Sequence, residues 1–248
     1  MSDDLNWHVE EACFNAWPSP REVLHGGWLM RFSGGSIRRT NSVNPLRGPR
    51  AEPAGVIEAA EKLYTSLSRD SIFRVPTIAA EMEALLVERG YDFEGGSTVL
   101  HCDLRSRKPA KNAAAELSRE MTPGWSRECK RIAEWSDADH SVFTDMVASI
   151  VVPKAFTSIT VDGKIVAKAY GAISNGLLVL ESVATDPDYR KRGYGQRAVG
   201  TLLDWAKEEG AVAACLQVIT DNVPARALYV SLGFTRELHS YHYRRKPY

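Results

Sequence analysis

Apolar and polar positions along this chain switch between helical and strand periods, and the switches outline its elements. Residues 7–17 space their aromatic and aliphatic side chains along one helix face, up to Pro18, which cannot continue a helix. Residues 28–33 alternate like a half-buried strand, and Gly34-Gly35 then predicts a hairpin turn. A helix is expected over 54–67, a strand over 72–75, a helix over 78–89 and a strand over 97–104. Residues 106–124 are polar, with Ala, Lys and Pro but no apolar stripe, and predict a linker. Beyond it the pattern predicts a strand over 128–135, a helix from Asp137, and strands over 156–161 and 165–174 joined at Asp162-Gly163. Asn175-Gly176 predicts a hairpin turn into an apolar strand from Leu177. An amphipathic helix over 196–209 follows, then an apolar run over 211–219 suited to a strand buried on both faces, and a last strand over 237–245.

The order repeats. Residues 84–91 (Ala-Leu-Leu-Val-Glu-Arg-Gly-Tyr) align with 227–234 (Ala-Leu-Tyr-Val-Ser-Leu-Gly-Phe) at an offset of 143, from Ala84 to Ala227. Val43-Asn44-Pro45 falls near Thr185-Asp186-Pro187 at almost the same offset. Two α/β units are therefore expected, 1–105 and 125–248, joined by a linker over 106–124. They differ in chemistry: Leu86 stands where Tyr229 stands, and Arg47-Gly48-Pro49-Arg50-Ala51-Glu52-Pro53 contains prolines that lack the N–H groups an anion needs.

The second unit centres on 177–195, where an apolar strand runs through Thr185-Asp186-Pro187 into Arg190-Lys191-Arg192-Gly193-Tyr194-Gly195 and a helix. The first N–H groups of a helix lack intrahelical partners and its dipole is positive there, so a phosphate or pyrophosphate fits against them. Gly193 and Gly195 remove side chains from the approach, and three basic residues add charge. Gly193-Tyr194-Gly195-Gln196-Arg197-Ala198 also meets the relaxed dinucleotide fingerprint, but the roughly fifty residues that remain are too few for two mononucleotide halves. No Lys-Ser or Lys-Thr follows the glycines, which excludes a Walker loop, and Val166-Ala167-Lys168 precedes them, which excludes a kinase loop.

With a second segment, Asn222-x-x-Ala225-x-x-Leu228-Tyr229-x-x-x-Gly233-Phe234, the run Arg190-x-x-Gly193-x-Gly195 resembles the two coenzyme-A motifs of the GNAT superfamily of acyl-CoA-dependent N-acyltransferases. The resemblance covers roughly the last 120 residues. It implies an α/β (α+β) fold of two GNAT-like domains, each a mixed, mainly antiparallel sheet flanked by helices with a splayed central strand pair, the N-terminal copy being degenerate. It implies acetyl-CoA as co-substrate. The family pattern places the pyrophosphate on backbone N–H groups around Arg190, Lys191, Arg192, Gly193, Tyr194, Gly195 and Gln196. Val183, Ala184 and Thr185 would line the pantetheine or carbonyl, and Asn222 and Arg226 would contact the coenzyme from the second motif. Asn222 serves equally well as a helix N-cap.

Composition narrows the rest. Lys plus Arg and Asp plus Glu number 31 each, so net charge favours neither nucleic acid nor a membrane. The four cysteines are far apart, with no Cys-x-x-Cys pair and no histidine at ligand spacing, so unpaired thiols and no metal are expected. The polar, acidic N-terminus and the absence of a long apolar run predict a soluble, cytoplasmic protein.

Acyl transfer from a thioester to an amine needs a held donor, a polarised carbonyl, a base for the amine and an acid for the leaving thiolate. Tyr229 is the candidate acid: a phenol near pKa ~10 can protonate a thiolate whose acid is near ~8.5 once the site brings the values together. Glu181 shares a strand face with Val183 and is a candidate base, or else a structural partner for an arginine. His239 and His242 are rivals for that role. No Ser-His-Asp or Cys-His constellation suggests a covalent acyl-enzyme. The expected activity is N-acetyl transfer to a primary amine of a small molecule or peptide. A non-catalytic acyl-CoA-binding regulatory module is the alternative, and a homodimer or scaffold built on the N-terminal copy is compatible with both.

Overall fold

The computed structural model describes residues 2–108 and 115–248. In the first half, helix α1 (Ser2–Ala16) precedes a hairpin of β1 (Arg21–His25) and β2 (Trp28–Phe32). Strand β3 (Val43–Pro45), helix α2 (Pro53–Ser66), strand β4 (Ser71–Pro76), helix α3 (Glu83–Glu88) and strand β5 (Asp92–Asp103) follow. The second half contains β6 (Glu116–Ser118), α4 (Pro123–Ala133), α5 (Asp137–Ala148), β7 (Lys154–Val161), β8 (Lys164–Ser174) and β9 (Leu177–Thr185). It closes with α6 (Tyr194–Glu208), β10 (Ala213–Ile219), α7 (Val223–Ser231) and β11 (Arg236–Lys246).

Among the described residues all the strands join one eleven-stranded sheet in the order β1-β2-β3-β4-β11-β5-β10-β9-β8-β7-β6. The order is symmetric about the antiparallel β11 and β5 pair: moving outward, β4 and β10 come first, then β3 and β9, then β2 and β8. On each side one parallel pair, β3 with β4 and β9 with β10, is flanked by antiparallel neighbours. Where the sequence pattern gives each half its own sheet, the halves exchange last strands: β5 pairs with β10 and β11 with β4, so a single sheet spans both.

Three local features depart from the sequence pattern for identifiable reasons. The first hairpin turns at Gly26-Gly27, not Gly34-Gly35: His25 lies opposite Trp28, and both glycines have positive φ, +54° and +81°, as a two-residue hairpin turn requires. Strand β2 is buried at every position because Trp28, Met30 and Phe32 face the α2 side while Arg31 lies under α1. Residues 128–135, expected as a strand, belong mainly to α4, which Thr122 caps by accepting the Trp125 N–H at 3.2 Å, with Pro123 at its first position. Strand β6 lies within the expected linker, of which residues 109–114 are outside the described set.

Trp125, Phe143, Phe156 and Tyr170 pack between one face of the sheet and α1, α4 and α5. Leu202, Leu203, Trp205, Leu216 and Phe234 fill the opposite face beneath α6 and α7. Each such aliphatic or aromatic side chain contributes about 1.5–3 kcal/mol of burial, which fixes the strands that carry the polar residues described next.

Candidate active site

The parallel register of β9 and β10 runs from Leu177 opposite Ala213 to Leu180 opposite Leu216 and stops, although both strands continue. The strands therefore splay, and Ser182 to Thr185 are only partly buried beyond the fork. A bulge lies at the same place. Tyr170 faces Glu181 and Lys168 faces Ala184, so Ser182 and Val183 together oppose one residue of β8, and Ser182 takes φ +48°, uncommon for a residue with a side chain. Val183 packs against the apolar cluster on the α6 and α7 face.

At the mouth of the fork stands α6, capped by Gly193 at φ +77° after Lys191 at φ +61°. The Arg197 N–H is the first to bond back, to the Gly193 carbonyl at 3.1 Å, leaving those of Tyr194, Gly195 and Gln196 without intrahelical acceptors. A Cβ on Gly195 would stand 3.0 Å from Thr185 Oγ1, so the glycine lets α6 start against the end of β9. Arg190, Lys191, Arg192 and Gln196 are exposed around this end. Arg190 Nε donates to the Thr185 carbonyl at 3.3 Å and Arg192 to that of Asp188 at 3.2 Å. Asp186 braces the loop from beneath, accepting from Arg131 at 2.5 Å and Lys164 at 2.8 Å. These features fit a phosphate-bearing anion at the start of α6.

Across the fork, α7 begins at Asn222, whose Oδ1 accepts the Ala225 N–H at 3.2 Å. Arg226 is turned onto Glu237 of β11. Tyr229 is 8 % exposed, and among the described residues its hydroxyl has no hydrogen-bond partner in the protein. Burial, reinforced by the charge of Glu181, pushes its pKa well above the ordinary phenol value, away from that of a thiol and not toward it as the sequence reading requires, so the hydroxyl stays protonated.

Glu181 does not share a face with Val183 as strand alternation predicts, because the bulge turns the two to opposite faces; it is 4 % exposed, and both its oxygens accept from Arg39 at 2.6 Å. Burial pushes its carboxyl up to about 7 and the Arg39 guanidinium opposes that rise. Arg39 in turn lies over the Trp17 ring at 4.3 Å. It comes from the loop after β2, which Asn41 ties together: Oδ1 accepts the Ser33 N–H at 2.9 Å and Nδ2 donates to the Gly35 and Ile37 carbonyls at 3.1 and 2.9 Å. Sequence reasoning missed Arg39; its only signal is the basic pair Arg38-Arg39 ahead of Thr40-Asn41-Ser42.

The histidines stand elsewhere. His239 Nε2 lies 2.8 Å from Glu10, which Arg74 also grips, and His242 Nε2 lies 2.9 Å from Glu83. The four cysteines are buried thiols. Among the described residues no group of three His, Cys, Asp or Glu could hold a metal, and no helix is long and apolar enough to cross a membrane.

The comparisons with known proteins agree with this geometry. The family described as "Probable histone acetyltransferase Rv0428c C-terminal" matches residues 7–244. The "Uncharacterized N-acetyltransferase YobR" of Bacillus subtilis is 24% identical over 250 residues, covering 98% of this chain and 99% of its own. The ribosomal protein bS18-alanine N-acetyltransferase of Escherichia coli K12 is 36% identical over 76 residues, 31% of this chain and 51% of that protein. In three dimensions, a GCN5-related N-acetyltransferase from Kribbella flavida superposes with a TM-score of 0.71 at 19% identity, over 100% of this chain and 96% of that one. A tandem GNAT protein from the clavulanic acid biosynthesis pathway gives 0.58 at 15% identity, over 83% and 74%. The chain belongs to the family matched over residues 7–244 and is an N-acetyltransferase of the GNAT kind.

Proposed function

We propose that the chain transfers the acetyl group of acetyl-CoA to a primary amine of a small molecule or peptide by direct attack. The observation that carries this is the fork between β9 and β10, with α6 N–H groups at its mouth and Tyr229 and Glu181 on its walls. Bound acetyl-CoA supplies an activated thioester. The free N–H groups of Tyr194, Gly195 and Gln196, with Arg190, Lys191 and Arg192 around Gly193, bind the pyrophosphate. Val183, Ala184 and Thr185 line the pantetheine path, the Val183 N–H serving as donor to the carbonyl, and Asn222 offers its Nδ2 from the far wall. Arg226, held on Glu237, supports α7 beside the path rather than reaching into it.

Tyr229 donates its proton to the departing thiolate, and Glu181 accepts one from the amine. A carboxylate has about four lone-pair positions, so one on each Glu181 oxygen remains while Arg39 fixes its orientation. The N-terminal half, in this account a degenerate copy without a coenzyme loop, contributes Arg39 to the site. Acetyl transfer of this kind suits a cytoplasmic enzyme, alone or as a homodimer.

Calorimetry with acetyl-CoA on wild type and Gly193→Glu, alongside thiol release against a panel of amines, tests the proposal. Binding lost in the variant and thiol released by an amine are expected. No binding by wild type contradicts it. The grip of Arg39 on both Glu181 oxygens favours a second reading, an acyl-CoA-binding regulatory module without turnover, and thiol release in the presence of any amine rules that out.

A further inference from the structure

Lys168 of β8 is an anomaly within this site. It is 2 % exposed, beneath α4, and among the described residues no carboxylate pairs with it. Its Nζ donates to the Ser182 carbonyl at 3.0 Å, lies 3.1 Å from Cys129 Sγ and sits over the Trp125 ring at 4.4 Å. Cys129 is no counter-ion: burial pushes its thiol up, so it stays protonated despite the nearby lysine. Burial pushes the Lys168 pKa below its ordinary value, with Cys129 opposing that fall, and an apolar side chain of the same length would fill the space without this desolvation.

What the lysine touches gives it a purpose. The Ser182 carbonyl and the Val183 N–H are the two ends of one planar peptide group, whose resonance couples them. A donor on the oxygen draws electron density from the nitrogen, and the N–H becomes a stronger donor in its turn. Because the peptide is trans, the N–H points away from Lys168, and that peptide lies in the bulge where Ser182 takes φ +48°. The ladder register steps past it, from Tyr170 opposite Glu181 to Lys168 opposite Ala184.

We propose that Lys168 is a positioning residue: it holds the Ser182 carbonyl and thereby strengthens and aims the Val183 N–H as the donor to the thioester carbonyl. This rests on the transferase function proposed above. Lys168 touches no reacting atom and acts through the peptide group alone.

The test is isotope-edited infrared spectroscopy of [1-13C]acetyl-CoA bound to wild type, Lys168→Met and Lys168→Gln, with calorimetry of free coenzyme A on all three. In wild type the thioester stretch is shifted down from its solution frequency. Lys168→Met returns it toward the solution value, Lys168→Gln, which keeps an N–H but no charge, lies between them, and coenzyme A affinity stays unchanged throughout. Cys129→Ala, which leaves the lysine on the carbonyl, retains the wild-type frequency. An unchanged stretch in both lysine variants overturns the proposal. So does loss of coenzyme A binding along with the shift, because that marks a lysine that only holds the strand together. Failure of wild type to bind acetyl-CoA is a separate outcome and overturns the transferase function on which the proposal rests.

Discussion

The two halves of the molecule share a backbone plan and differ at a few positions that carry chemistry. Helices α3 and α7 end alike: the Tyr91 N–H bonds to the Leu86 carbonyl and the Phe234 N–H to that of Tyr229, both at 3.0 Å, after glycines at φ +75° and +99°. Each bond is displaced by 143 residues from the other, as the sequences are. Yet the side chain at the start of the bond is a fully buried Leu86 in one half and Tyr229 beside the fork in the other. Helix α2 begins with Pro53 and has no N–H at its first position, where α6 begins with Gly193-Tyr194-Gly195. Strands β3 and β4 are paired in parallel only at Val43 and Phe73. A frame can thus recur in both halves of one sheet while the side chains set on it differ.

The bracing breaks with the largest effect. Glu10 and Arg74 are both buried, with His239 beside them and the Arg74 guanidinium 3.7 Å over Tyr241. Burial raises the Glu10 pKa, but Arg74 and His239 outweigh it and hold the carboxyl at about 2. Arg74→Met leaves that carboxylate without its guanidinium and is expected to cost about 3–5 kcal/mol in denaturant unfolding at pH 7. The Glu10 contribution in wild type is present above the ordinary value of 4.5 and is lost as pH falls toward about 2.

The matched positions come next. Leu86→Ala is expected to lower stability by about 2–5 kcal/mol with acetyl-CoA affinity unchanged. At the equivalent position, Tyr229→Phe keeps the ring packed against Phe234, 6.0 Å away between centroids. Its turnover should fall by about a hundredfold or more at nearly constant stability, read by thiol release beside thermal unfolding. Equal losses of stability at both positions would mean that the tyrosine is a core residue only.

The smallest effect is on pH dependence. With Glu181 as base and its carboxyl at about 7, the rate climbs as pH rises through about 7. Glu181→Gln removes that limb. Arg39→Met, by deleting the charge that holds the carboxyl down, moves the limb to higher pH, checked by a pH profile of kcat. The same raised value makes the Glu181 contribution to stability fully present below 4.5 and lost as pH rises through about 7.

The glycine-bearing start of α6 was legible in the sequence because its requirements are local: glycines at fixed spacing, basic residues and a helix start. The last strand was legible too, but its partners were not, since nothing within 237–245 says that β11 pairs with β4 and β5 of the other half. The same holds for Arg39 and Glu181, 142 residues apart, whose meeting depends on the loop that Asn41 ties together. The α4 error has a local cause: Thr122-Pro123 is an N-cap signal that outweighs the polar run before it. The bulge at Ser182 could not be read, because a left-handed serine leaves no mark where glycine would have.

The central claim, that one half binds coenzyme and the other has only its frame, is tested most directly by the stoichiometry of acetyl-CoA binding. Calorimetry on the whole chain should give one site per chain, and Gly193→Glu should weaken it by about a hundredfold or more, equivalent to ~2.8 kcal/mol. Two sites per chain, or one that survives Gly193→Glu, would contradict the claim.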